Sequence, residues 1–210
     1  MAIIKDIGVI LREYQTGESN KRLVLLTDAH GKIVVHSRGA RKAGSKLSAN
    51  LFCCHEFIIF DGGSFLSLNQ IAPMHSFAAV ADDFDAYCAA CSFLEIIDKV
   101  MMPSMESSVV LRLLLRALAE LTAGRPPNMV FAVFMLKFLQ KEGFVAADAL
   151  PMLGAEAAEA LNYILENDGK HAFAFNASKD VLDALCAAAR TLIETNVDIQ
   201  LKSLTLMEGL

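Results

Sequence analysis

Tryptophan is absent, proline occurs five times, and only 20% of the 210 residues are charged. The missing indole excludes a tryptophan stacking platform. Low charge, a 54% hydrophobic class and a mean hydropathy of +0.42 exclude a wholly disordered chain. A long apolar run is also lacking. The longest uncharged stretch, Gly62 to Ala81, carries Ser64, Ser67, Asn69, Gln70, Pro73 and His75. The most apolar run, Met129 to Leu139, contains Lys137 and is about half the length a membrane-spanning helix requires. MAIIKDIG, at the start, has no basic leader, apolar h-region or small-residue cleavage site, so nothing in it directs export. Five cysteines, an odd number in a chain large enough to build its own core, read as reduced thiols of a cytoplasmic protein. No Walker loop, Rossmann fingerprint or Gly-x-Ser-x-Gly elbow occurs, so no enzyme signature stands out.

One absence is local and more telling. Between Asp28 and Glu56 there is no acidic residue, while Lys32, Arg38, Arg41, Lys42 and Lys46 supply five positive charges. The formal net charge of −5 hides this. Residues 1–80 hold nine cations against six anions, net +3; the remainder hold ten against eighteen, net −8. Four of the five cations fall in the stretch Ser37 to Ser48, with Gly39 and Gly44 allowing close backbone approach and serines offering hydroxyl donors. Guanidinium forks suit phosphate oxygens. Lys21 and Arg22 add charge on a neighbouring strand. The patch is consistent with a solvated loop and with a nucleic-acid contact.

Short strands are expected before residue 80, at Ile3–Tyr14, Lys21–Thr27, Lys32–Ser37, Asn50–Phe60 and Ser64–Ile71, separated by glycine-bearing turns. So small a sheet avoids exposed edges by closing into a barrel. Phe52, Phe57, Phe60 and Phe65 read mainly as its core, with one of them available to stack on a base. After residue 80 the period becomes helical. Helices are expected from Asp82 or Asp83 to Met102, from a Ser104 cap to Leu121, then at 128–142, 155–167, 178–196 with Ser178 as cap, and 200–209. The fold class is α+β, a barrel domain over 1–80 followed by an all-α domain over 81–210. Cys88-Ala-Ala-Cys91 stands alone on a helix and reads as packed thiols, since tetrahedral zinc needs four ligands.

Gly8-Val-Ile-Leu-Arg12, Tyr14 to Glu18, Leu25-Leu-Thr27, His30-Gly-Lys-Ile33 and Arg38-Gly-Ala-Arg-Lys42 occur in an order that resembles the RecO family of bacterial recombination mediators. Downstream, Leu113-Leu-Leu-Arg-Ala-Leu118, Phe134-Met-Leu-Lys137, Gly143-Phe144 and Leu201-Lys-Ser-Leu204 continue the resemblance. It implies an N-terminal OB-fold and a helical domain, with binding of single- and double-stranded DNA and annealing of complementary strands. It also implies contact with the C-terminal tail of single-stranded-DNA-binding protein and, with RecR, help in loading RecA. On this reading Lys32, Arg38, Arg41, Lys42, Lys46, Lys21 and Arg22 contact DNA, and no cofactor is needed.

Two departures qualify the resemblance. Many relatives carry a four-cysteine zinc module after the position matching Gly143-Phe144, whereas Val145 to Lys170 has neither cysteine nor histidine, so no zinc is expected there. Some relatives place arginine just before the position of Phe134; here Ala132 and Val133 stand there. Receiving the partner tail beside Phe134 would then fall to Lys137, Arg125 or another cation. A non-catalytic DNA-binding mediator is the leading expectation, and the alternative is an adaptor whose barrel serves assembly while partners hold the DNA.

Overall fold

Strand β1 (Ala2–Thr16) is fifteen residues long and serves two neighbours. Its first half, Ala2 to Val9, pairs antiparallel with β4 (Cys53–Asp61), and its second half, Gly8 to Thr16, pairs with β2 (Asn20–Thr27). Gly8 lies at the handover, opposite both Thr27 and His55. A Cβ there would collide with the Leu26 carbonyl, so only glycine lets the strands approach this closely. A register shift between Ile10 and Arg12 then bends the strand away. β2 pairs with β3 (Gly31–Ser37), and β3 meets β5 (Leu66–Ser76) in parallel at Val35–Leu66 and His36–Ser67. β5 returns antiparallel along β4. The result is a closed five-strand barrel in the order β1-β2-β3-β5-β4. Ile10, Leu23, Leu25, Val35, Phe57, Ile59 and Leu68 fill it, and Leu47 packs against that core. The architecture is α+β, an OB-fold barrel followed by helices.

This computed structural model describes residues 2–42, 45, 47, 50–145, 153–197 and 201–203. Lys46, Gly44 and most of the expected C-terminal helix at 200–209 lie outside the described residues. Helices α1 (Phe84–Val100), α2 (Ser108–Thr122), α3 (Pro127–Lys141), α4 (Ala155–Glu166), α5 (Gly169–Ala172) and α6 (Lys179–Val197) follow a short 3-10 turn at Ala78–Asp82. Asp83 caps α1, its carboxylate accepting the Ala86 amide at 2.8 Å, and Ser178 caps α6. Gly124 and Gly143 end α2 and α3 in the left-handed region; the amides of Arg125 and Phe144 reach back to the carbonyls of Glu120 and Leu139.

Ser104 does not cap α2, which starts four residues later. The intervening chain is drawn onto the barrel. The Ser104 amide donates to the Lys32 carbonyl at 3.2 Å, and the buried Ser107 hydroxyl donates to the Thr27 carbonyl. Gly31, at φ +72°, passes so close to Met105 that a Cβ would strike the Met105 carbonyl. One compact unit accordingly comprises residues through Ala79 together with Leu94–Leu111, which differs from a single cut at residue 80. The other comprises Val80–Phe93 and the described residues from Arg112 onward. In that second unit, Met129 to Leu139 of α3 are buried except for Lys137, which is half-buried. Phe134 lies between Phe93, with ring centroids 4.1 Å apart, and Phe138.

Asp6 pins the β2–β3 turn to β1. Its buried carboxylate accepts the amides of Ile7, Ala29 and His30, and meets His30 Nδ1 at 2.7 Å. Burial acts to raise its pKa, but His30 and the amide donors outweigh it and hold the carboxyl below its ordinary 3.8. The unfolded chain therefore takes up the proton first, and the contribution present above 3.8 is lost as pH falls through and below that value. Asp6→Asn is expected to cost about 1–3 kcal/mol near neutrality. It should also flatten the acid limb of stability, read as urea midpoints from about pH 7 to about pH 3.

Candidate nucleic-acid interface

Two turns and the ends of two strands meet at one end of the barrel. The β1–β2 turn contributes Thr16, Gly17 and Asn20, and β2 adds Lys21 opposite Ser37 of β3. The chain leaving β3 folds back on the β1–β2 turn. The Gly39 amide donates to Asn20 Oδ1 at 2.9 Å, the Arg41 amide to the Ser19 carbonyl at 3.0 Å, and Arg41 Nη1 to the Gly17 carbonyl at 3.4 Å. Gly39, at φ +69°, makes that reversal possible. From the other side comes the β4–β5 turn, closed by the Gly63 amide on the Asp61 carboxylate and the Gly62 amide on the Phe65 carbonyl. Together they border an open cavity of about 490 Å³ lined by Thr16, Gly17, Asn20, Lys21, His36, Ser37, Arg38 and Phe65.

Alternation explains which side chains face it. Val35 and Leu66 point into the barrel core, so their neighbours His36 and Phe65 point outward. Phe65 is 44% exposed, packs edge-on against His36 at 5.8 Å, and lies 5.7 Å below the Arg38 guanidinium. Beyond it the outer face carries Tyr14, with the guanidinium carbons of Arg12 and Arg22 both 5.0 Å from its ring. Lys21 meets Glu13 at 2.6 Å, and Arg12 Nε meets Asp98 at 3.2 Å. Arg22, Arg38, Arg41 and Lys42 are exposed. The strand-2/strand-3 face flanked by the first and last turns is where OB-folds take up oligonucleotides.

Of the seven cations expected at DNA, the structure gathers Lys21, Arg22, Arg38, Arg41 and Lys42 at this end; Lys46 lies outside the described residues. Lys32 does not join them. It sits at the far end of β3, its side chain 12% exposed, donating to the Asp98 carbonyl, and burial pushes its pKa down against the opposing pull of Asp98. Tyr14 and Asn20 join the site although neither is among the cations expected there, and Phe65 is one of four phenylalanines expected in the barrel. The usable signal was Phe65-Leu66-Ser67-Leu68, where inward leucines leave Phe65 outside.

The residues expected to receive a partner tail are differently placed. Phe134 is 0% exposed within its aromatic stack. Lys137 Nζ meets Asp168 at 2.8 Å and donates to the Leu165 carbonyl at 3.2 Å, with its side chain 12% exposed. Arg125, at the opposite end of α3, is exposed and contacts Glu120 at 3.4 Å. Cys53, Cys54 and Cys88 are buried, and burial pushes their thiols up; that of half-buried Cys186 is pushed up to about 11. Among the described residues no group of three or more His, Cys, Asp or Glu could hold a metal ion. No helix among them is long and apolar enough to cross a membrane.

Residues 1–77 match the family described as Recombination protein O N terminal. Over 221 aligned residues the chain is 26% identical to the DNA repair protein RecO of Acetivibrio thermocellus, covering 88% of each chain. It is 33% identical over 148 residues to that of Caldicellulosiruptor bescii, covering 69% of this chain and 60% of the relative. With the Bacillus pumilus protein of the same name it shares 32% over 143 residues, 67% of this chain and 56% of the relative. In these last two the match spans little more than half the relative's length.

Proposed function

This chain belongs to the RecO family of DNA repair and recombination proteins, and on that premise we propose that it is a non-catalytic mediator that binds DNA through the barrel end just described. One observation carries the reading: Lys21 and Arg38 line a cavity beside exposed Phe65, and Arg22, Arg41 and Lys42 are exposed on the adjoining strand and loop, although the chain as a whole is net −5. Those cations would sit on phosphates, fixing the strand without reading its sequence. They would also screen the repulsion between two complementary strands, which is the physical requirement of annealing. Single- and double-stranded DNA are both substrates on this reading. Partnership with RecR, with the tail of single-stranded-DNA-binding protein and, indirectly, with RecA is proposed from family membership, in the cytoplasm where cysteines stay reduced.

Fluorescence anisotropy with a labelled oligonucleotide and the purified protein alone tests it. Five phosphate contacts predict that log K falls against log salt with a slope near about −3.5 for a single strand. Absence of binding at low salt, or a slope close to zero, would overturn the reading. The net −8 of residues 81–210 favours a second one, an adaptor whose partners hold the DNA. It predicts oligonucleotide binding only after RecR is added.

A further inference from the structure

We propose that the cavity between the β1–β2 and β4–β5 turns seats one unstacked nucleotide, its base against Phe65 and its backbone on Arg38 and Lys21, so that single strands are bound in preference to duplex. This rests on the DNA-binding reading above and adds to it a ligand class and a residue that discriminates.

Size comes first. At about 490 Å³ the cavity falls in the range of sites that enclose small organic ligands, about 300–1,000 Å³. A phosphate track alone needs no recess of that size. Chemistry comes second. Cations line one side, and the side of Phe65 not taken by His36 and Arg38 supplies apolar surface. A nucleotide presents that same division, an anionic backbone and a flat base. Every base has a π-face, so stacking on Phe65 tolerates any sequence.

The third observation is Ser37. The residue is fully buried, lines the cavity, and its Oγ has no hydrogen-bond partner among the described residues. Such a hydroxyl is costly unless something satisfies it. An occupant whose polar edge reached it would meet a hydroxyl that can donate or accept. Asn20 uses only its Oδ1 toward Ser19 and Gly39, leaving its amide group as a further donor on the cavity wall.

Discrimination follows from the stack. In duplex DNA the bases are paired and stacked, and flipping one out costs free energy that an already single strand does not incur. Duplex should reach the cations and leave the cavity unused.

The test compares fluorescein-labelled oligo(dT) with a blunt duplex of equal length, by anisotropy, for the wild-type protein, Phe65→Ala and Ser37→Ala. Wild type should favour the single strand. Phe65→Ala should weaken single-strand binding by about 5- to 150-fold while duplex affinity and the salt slope hold. Ser37→Ala should weaken it about 2- to 12-fold without lowering the urea midpoint, because it removes an unpaired buried hydroxyl. Equal losses on both probes, or no loss on either in variants of a protein that binds them, would refute the nucleotide site and leave the DNA-binding reading intact. Wild-type protein that binds neither probe would overturn both.

Discussion

Phe134→Ala is expected to lower the unfolding free energy by about 3–5 kcal/mol, a large fraction of the total for a protein of this size. The ring is wholly buried, 4.1 Å from Phe93 and 6.1 Å from Phe138 at an interplanar angle of 4°, and α3 buries nearly every neighbour around it. Removing it leaves a cavity that helices fixed on several sides cannot collapse to fill. Phe134→Leu keeps most of the volume and should cost much less. Urea unfolding followed by far-ultraviolet circular dichroism reads the difference. An alanine variant within about 1 kcal/mol of wild type would show that the stack is not closed as described. The same burial bears on the expected tail contact, because a partner can touch Phe134 only if α3 loses neighbours.

The second large effect is on DNA. The triple variant Arg38→Glu, Arg41→Glu, Lys42→Glu should bind a labelled single strand about a thousandfold more weakly at low salt. Each charge-assisted contact accounts for roughly a factor of ten. Its salt slope should fall from about −3.5 to about −1.4, the value for the two cations that remain. All three side chains are exposed, and Arg41 makes only a 3.4 Å contact to the Gly17 carbonyl, so the urea midpoint should stay close to wild type. Unchanged affinity and slope would remove this end of the barrel from the binding surface.

These sites differ in how far the amino-acid order exposes them. The barrel was legible because its strands alternate and its turns carry Gly17, Gly31 and Gly63 in left-handed conformations. Helix starts at Asp83 and Ser178 were legible because the capping group is local in sequence. The Ser104 cap failed for the opposite reason: Thr27 and Lys32, more than seventy residues earlier, hold residues 104–107 out of the helix. Lys32 failed in the same way. Its composition matches that of Arg38 or Lys42, and only the carbonyl of Asp98, sixty-six positions away, distinguishes it. Tyr14 was hidden differently, since the cation stack on its ring exists only once strand register is set.

The partnership of Gly31, Lys32 and Thr27 with residues 98–107 has a bearing on synthesis. A ribosome making this chain in order releases all five barrel strands once residue 76 emerges, yet the bonds that occupy the Thr27 and Lys32 carbonyls come from residues still to emerge. For the time taken to add about thirty residues, a few seconds at typical elongation rates, the nascent barrel carries an unfinished flank. That interval ends when Ser107 clears the exit tunnel, which makes its hydroxyl a late clasp on an early-formed sheet.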